Sequence, residues 1–390
     1  MSIDIIAEAV AKSKEHWIEF LRDIVNIDSG TDYKEGVDLV GSYVAEKLKD
    51  LGFDINIFRE EIYGNHILAC RNRDVKPRIL LVGHMDTVFP RGTAKERPFT
   101  IKGNIAYGPG VLDMKGGIMV MLSALDALRE TGSKVYRNAS ICVFLNSDEE
   151  ILSPSSSQKI DDEAKQTDLA IVFEPARPDG GYVRRRWSVA RLRIISHGIA
   201  EHAGWISGGR GASAVHELIH KLIMLLEKLE GKGQVLINIG VIRGGDRFNV
   251  VAPYAEAELS LRAPTLEEIE GIIRNIIGDI INKTFYEGTK SELEIITKWP
   301  PLLDNERNRY ALGYFQKAMH ELGKELKIAD SSGASDGNHI SQYTAVVDGA
   351  GAYGEHLHSP REYIEIDKTF ERTVITARAL EIFYEEHIYK

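Results

Sequence analysis

The chain has 390 residues, more than one ordinary hydrophobic core accommodates, so two domains are expected. Hydrophobic residues make up 43% and charged residues 27%, with a net charge of −10 and no basic stripe beyond "RRRW" at 184–187, which argues against a nucleic-acid partner. No apolar run reaches the ~18 residues of a membrane span, and the N-terminal stretch lacks the uninterrupted apolar core of a signal peptide, so a cytoplasmic protein is expected.

The first ~185 residues alternate helical and strand patterns, as an α/β sheet domain does. Residues 35–50 read as an amphipathic helix, "RILLVG" (78–83) as a buried strand and "MKGGIMVMLSALDALRE" (114–130) as a helix. "ASICVFLN" (139–146) and "DLAIVFEP" (168–175) follow as buried strands. Cys70 and Cys142 lie inside apolar strand-like runs. They read as small buried core residues rather than a disulfide, and so few cysteines suit a reducing compartment.

The pattern then changes. "VARLRII" (189–195) alternates as a half-exposed strand does, and "ASAVHELIHKLIMLLEKLE" (212–230) carries Val215, Leu218, Ile219, Leu222, Leu225, Leu226 and Leu229 on one helical face. "QVLINIGVI" (234–242) and "YAEAELSLR" (254–262) read as strands. In the second, Ala255, Ala257, Leu259 and Leu261 face one way and Glu256, Glu258, Ser260 and Arg262 the other. Thr265 with Glu268 forms a capping box that opens a helix whose stripe runs Ile269, Ile272, Ile273, Ile276, Ile280. "ELEIITKW" (292–299) closes a β-α-β-β-α-β, ferredoxin-like unit. Helical patterns resume from ~300. The expected organisation is an α/β domain over 1–187 and 299–390, with 188–298 inserted into it.

Acids and histidines collect at the C-terminal ends of the buried strands, where open α/β sheets place their sites. "GHMDTV" offers His84 and Asp86, "GPGVLDMKGG" offers Asp113, "SDEE" offers Glu149 and Glu150, "FEP" offers Glu174, and "GEHLHSPREY" offers His356 and His358. Taken singly, each has a bland alternative: a hydrogen-bonded histidine, a solvated turn, an exposed acidic face. Five such features in one structural position point to divalent cations instead, since adjacent carboxylates repel unless something positive holds them. Three ligand carboxylates against two dications leave one positive charge, and a thiolate-free N and O set suits zinc, with cobalt or manganese also able to occupy it.

These motifs, with "AEHAG", "FNVV", "ASDGN" and "HSPREY", fall in the order of the M20 metallopeptidases, and the resemblance spans essentially the whole chain. That group contains carboxypeptidase G2-like glutamate carboxypeptidases, aminoacylases, acetylornithine deacetylases and succinyl-diaminopimelate desuccinylases. The resemblance implies a dinuclear-metal α/β/α catalytic domain with an inserted dimerisation or lid domain. It implies two Zn2+ per subunit, Asp113 bridging them, Glu150 and His358 completing one site, and His84 and Glu174 the other. His358 is preferred to His356 because it directly precedes the "SPREY" that matches the family ending. Asp86 resembles the carboxylate that orients His84, and Glu149 the general base that passes a proton from water to the leaving nitrogen. His202 resembles the residue that crosses a dimer interface to stabilise the oxyanion in the partner's site. Asn249, Arg262 and Gly333 match substrate-contacting positions, with Arg262 gripping a carboxylate.

Two positions depart from the pattern: Leu152 stands where glycine is usual, and Arg185-Arg186-Trp187-Ser188 replaces "Arg-Lys-Gly". Both bear on the substrate pocket and neither touches a metal ligand. The implied activity is release of a C-terminal, glutamate-like amino acid from a small peptide or N-acyl amino acid with a free carboxylate, by a homodimer. The alternatives are an N-acyl-amino-acid deacylase, a non-peptide amidohydrolase, and an inactive dimeric binding protein of the same fold. Loss of Glu149 or a ligand would favour the last, and none is lost.

Overall fold

Strands Arg78–His84 and Ser140–Asn146 are buried at every position. Such continuous apolar runs, without alternation, belong in a sheet covered on both faces. The computed structural model describes residues 2–388, apart from the side chains of 206–208. The chain divides into two units, one of Met1–Arg185, Leu303–Asp330 and Ser335–Lys390, the other of Arg186–Leu302 and Ser331–Ala334.

The first unit is built on a six-stranded sheet in the order Asp54–Phe58, His66–Arg71, Ser140–Asn146, Arg78–His84, Leu169–Val172, Ala345–Val347. The last four strands run parallel, and the first two form an antiparallel pair at one edge. Helices Ile3–Val25, Lys34–Asp50, Lys115–Glu130, Glu306–Glu321 and Ile366–Ile388 share one apolar core with it, in which Trp17, Leu122, Phe173 and Phe315 are buried. A separate four-stranded sheet, ordered Gly354–Glu355, Tyr363–Glu365, Ile105–Tyr107, Thr100–Lys102, brings the late histidine loop beside the Gly-rich turn that follows Tyr107.

The second unit has the expected β-α-β-β-α-β order. Its antiparallel sheet runs Leu236–Gly244, Tyr254–Ala263, Ser188–His197, Lys290–Trp299. Ala255, Ala257, Leu259 and Leu261 are buried against its helices, while Arg191 and Arg193 pair with Glu258 on the other face. The Thr265–Glu268 capping box forms.

Three expectations are corrected. Ile219 is 47% exposed, while Glu217 and Lys221 beside it are buried as an ion pair at 3.0 Å. Lys221 Nζ also donates to Ile280 O and Ile281 O, carbonyls at the C-terminal end of the second helix. That second helix is interrupted by a π turn at Ile273–Ile277, which rotates the stripe so that Ile277 and Ile280 are buried and Ile272, Ile273 and Ile276 only partly so. Finally, register pairs Cys70 with Cys142 across two strands, Cα atoms 4.2 Å apart, and their sulfurs form a disulfide. The two are 72 residues apart in sequence, so only strand pairing reveals the contact. A bonded pair gives no support to a reducing compartment. Among the described residues, no helix is long and apolar enough to cross a membrane.

Candidate metal centre

The parallel strands deliver their C-terminal ends to one locus. His84 ends its strand, Glu149 and Glu150 follow the strand ending at Asn146, and Glu174 follows the strand ending at Val172. Asp113 lies in the turn before helix Lys115–Glu130, and its peptide bond to Met114 is cis. His358 sits between the two strands of the hairpin Gly354–Glu355 and Tyr363–Glu365, at φ +58.

Asp113 stands between the two imidazoles. Its Oδ1 lies 3.2 Å from His84 Nε2 and its Oδ2 lies 3.0 Å from His358 Nε2. Glu174 Oε1 is 3.6 Å from His84 Nε2, and Glu150 Oε2 is 3.3 Å from His358 Nε2. Glu149 Oε2 is 3.9 Å from His84 Nε2. Ligand atoms of His84, Asp113 and Glu150 lie within 4.8 Å of one another, as do those of His84, Glu149 and Glu174. Ligands on tetrahedral bonds of about 2.0–2.2 Å would stand roughly 3.3–3.6 Å apart. Glu150 Oε1 is buried with no hydrogen-bond partner among the described residues, an orphan that a cation would satisfy. The donor set therefore fits divalent metal.

The electrostatics agree. Burial disfavours protonation of His84, yet hydrogen bonds to Asp113 and Asp86 outweigh it and hold the imidazole well above its usual pKa. Burial likewise opposes protonation of His358, which Asp113 and Glu150 push up to about 10. Asp113 is held below the usual carboxylate range, because its two imidazole partners overcome a large burial cost. Burial and the charge of Glu174 hold Glu149 well above the ordinary glutamate value, and burial with the Asp113 charge raises Glu150.

Asp86 does more than face His84. His84 Nδ1 lies 3.0 Å from the Asp86 carbonyl and 3.4 Å from its carboxylate. The same carboxylate accepts the backbone N–H groups of Glu149 (3.2 Å) and Glu150 (3.3 Å) and the hydroxyl of Thr31 (2.7 Å). One side chain thus aims an imidazole and tethers the acidic loop. Thr31 lies 55 positions from Asp86 and carries no motif, so nothing in the sequence marks it.

Asp148 turns away from the other acids. It is fully buried and accepts the Ser155 N–H (2.7 Å) and the hydroxyls of Ser155 (2.8 Å) and Ser156 (2.5 Å). The serine-rich run after "DEE" is the signal that this carboxylate is structural. Burial pushes Asp336, of "ASDGN", up to about 6, and it accepts from Ser153 Oγ and Asn146 Nδ2. Leu152, where glycine is usual, has φ +72, the left-handed region that glycine occupies without strain.

His202, Asn249, Arg262 and Gly333 belong to the second unit. His202 is exposed, and the Ala203 N–H donates to Asn249 O at 3.0 Å, so these two share one locus. Arg262 and Gly333 share another: Arg262 Nη1 donates to Ser332 O at 3.0 Å, and Arg186 Nη1 donates to Gly333 O at 3.2 Å.

A family model described as peptidase family M20/M25/M40 matches residues 80–382. The chain belongs to that family. It is accordingly a hydrolase of amide bonds, from a metal-dependent family, with a His/Asp/Glu group able to hold metal. This M20 chain is 27% identical over 388 residues to carboxypeptidase G2 of Pseudomonas sp. (strain RS-16), covering 97% of this chain and 91% of that one. It is also 27% identical over 377 residues to the succinyl-diaminopimelate desuccinylase of Rickettsia akari (strain Hartford), covering 90% and 95%. Among solved structures, the di-peptidase Dug1p of Saccharomyces cerevisiae shares the fold with a TM-score of 0.79 at 15% identity, covering 98% of this chain and 99% of that one.

Proposed function

We propose that the protein is a dinuclear zinc carboxypeptidase that releases a glutamate-like C-terminal residue from a small peptide or N-acyl amino acid. The observation that carries this reading is Asp113 offering one carboxylate oxygen towards His84 and the other towards His358. In it, Asp113 would be shared between the two metals, Glu150 and His358 would complete one set of ligands and His84 and Glu174 the other, with Co2+ or Mn2+ able to substitute. The bound ions would supply positive charge that acidifies water and polarises the scissile carbonyl. Glu149, buried and held above its ordinary pKa, is poised to take a proton from water and return it to the leaving nitrogen. Asp86 fixes the direction of His84 and the position of both glutamates. His202 is assigned the oxyanion, acting across a homodimer, with Asn249, Arg262 and Gly333 holding the substrate.

A guanidinium presents a planar fork suited to a carboxylate. After metal reconstitution, Arg262→Ala is expected to lose about 2–5 kcal/mol in kcat/KM towards substrates with a free carboxylate on the released residue, and much less towards the matching amides. Equal losses on both would reject Arg262 as the carboxylate reader. The 27% identity to a desuccinylase favours a second reading, an N-acyl deacylase. Turnover confined to acylated diamino acids, with none of acyl-glutamates, would select it.

A further inference from the structure

Glu362 is 1% exposed and lies on the hairpin that carries His358. Its carboxylate reaches into the turn that carries Asp113. Oε2 accepts the Gly110 N–H at 2.9 Å, and Oε1 accepts those of Leu112 (2.8 Å) and Asp113 (2.9 Å). Converging backbone N–H groups of this kind form a concave anion-binding nest. Gly110, at φ +73, is what permits the turn, since a Cβ there would meet Thr87 Cγ2 at 2.7 Å. On its own side, Glu362 is tied back towards His358: its N–H donates to Ser359 O at 3.2 Å, and Ser359 Oγ donates to His356 O at 2.7 Å. The two segments are about 250 residues apart in sequence, as the 249-residue separation of Glu362 and Asp113 shows.

We infer that Glu362 is the positioning residue that sets Asp113 against His358, by filling an amide nest in the Asp113 turn from the His358 hairpin. Asp113 has a short side chain, so the direction of its two oxygens follows from where its backbone is held. His358 is 45% exposed and hangs from a loop, so its place depends on the hairpin. A single buried carboxylate spanning both converts two separately held groups into one site. Glutamine cannot reproduce this. Whichever way its amide is turned, an NH2 donor faces at least one backbone N–H.

The inference rests on Asp113 and His358 being metal ligands, and the test separates the two claims. Zinc affinity and stoichiometry are measured on wild type, Glu362→Gln and Glu362→Asp by competition with a chromophoric chelator, and the Co2+ spectrum of each is recorded. Asp126→Asn is the control for general destabilisation, because Asp126 is a buried carboxylate that accepts from Trp17 Nε1 elsewhere in the same unit. Glu362→Gln is expected to bind at least one zinc ~10–100-fold more weakly and to alter the Co2+ spectrum, the usual span when a group orienting a ligand is lost. Asp126→Asn should lower the melting temperature and leave affinity and spectrum unchanged. Wild type binding no zinc would remove the metal reading itself. Wild type binding two, with Glu362→Gln indistinguishable from it, would overturn the role of Glu362 alone. If Glu362→Gln does not fold, Glu362→Asp decides: weakened zinc binding supports the inference, and wild-type affinity overturns it.

Discussion

Adjacent in sequence, Glu149 and Glu150 differ in what surrounds them. Glu150 points one oxygen at His358 and leaves the other buried with no hydrogen-bond partner among the described residues, where a cation would satisfy it. Glu149 is raised by burial and then by the charge of Glu174, which keep its proton affinity high, the state of a base. Glu149→Gln is therefore expected to retain both metals and lose ~10²–10⁴ in kcat, and Glu150→Gln to lose metal affinity first. Metal analysis beside single-turnover kinetics checks this, and the reverse pattern would exchange the two roles. Protonation gives a second check. In the metal-free fold His84 and His358 are held protonated beyond 6.5, His358 up to about 10. The raised His358 pKa contributes stability that is fully present below pH 6.5 and is lost as pH rises through about 10. A metal takes only the neutral imidazole, so zinc binding at pH 8 is expected to expel a proton from His358. Calorimetric titration in buffers of different ionisation heat measures this. An observed heat independent of buffer would show that His358 is neutral before zinc arrives.

Elements were legible where period and burial agree. The buried runs of 78–84 and 140–146 are strands, and the alternation of 254–262 places its alanines and leucines inside. Strand ends then locate His84, Glu149, Glu150 and Glu174, because a parallel sheet delivers its C-terminal edges to one side. What stayed hidden depends on contacts between distant segments. Helix 214–229 buries Glu217 and Lys221 because Lys221 Nζ pairs with Glu217 and donates to the carbonyls of Ile280 and Ile281, which no local pattern announces. The grip of Asp86 on the acidic loop and of Glu362 on the Asp113 turn is likewise made through backbone N–H groups, which carry no residue type to read. The Cys70–Cys142 bond is the plainest case, since its partners meet only once strand His66–Arg71 pairs with Ser140–Asn146. It closes a loop of 72 residues, and disulfides typically stabilise by ~2–4 kcal/mol, with the chain-entropy relation at the upper end of that range for a loop this long. Denatured, unreduced protein is expected to titrate no thiol, and Cys70→Ala with Cys142→Ala to lower the denaturation midpoint by a corresponding amount. Two reactive thiols before reduction would remove the bond.

At the scale of the whole molecule, the second unit presents surface that a monomer rarely leaves open. Strand Leu236–Gly244 lies at the edge of its sheet, with Leu236 46% and Ile242 61% exposed. An edge strand offers unpaired backbone groups that a second copy can meet. On the outer side of helix Ala214–Leu229, Ile219 and Ile223 are also about half exposed. We propose that two copies associate through this unit, burying these residues and carrying each His202 to the partner's metal centre. A His202→Ala chain keeps its own Glu149 and lacks the oxyanion group, while a Glu149→Ala chain lacks the base and keeps its histidine. Each is expected to be inactive as a homodimer. In the mixed dimer, one site combines Glu149 of the first chain with His202 of the second and regains turnover, while the other site lacks both. Activity should therefore appear on mixing after dissociation and reassociation, and grow as the heterodimer forms. Charged substitutions at Ile219 and Ile223 should abolish it together with the dimer, without disturbing zinc binding in the first unit. A fully active monomer at assay concentration would reject the arrangement, and inactive heterodimers of confirmed composition would confine His202 to its own chain.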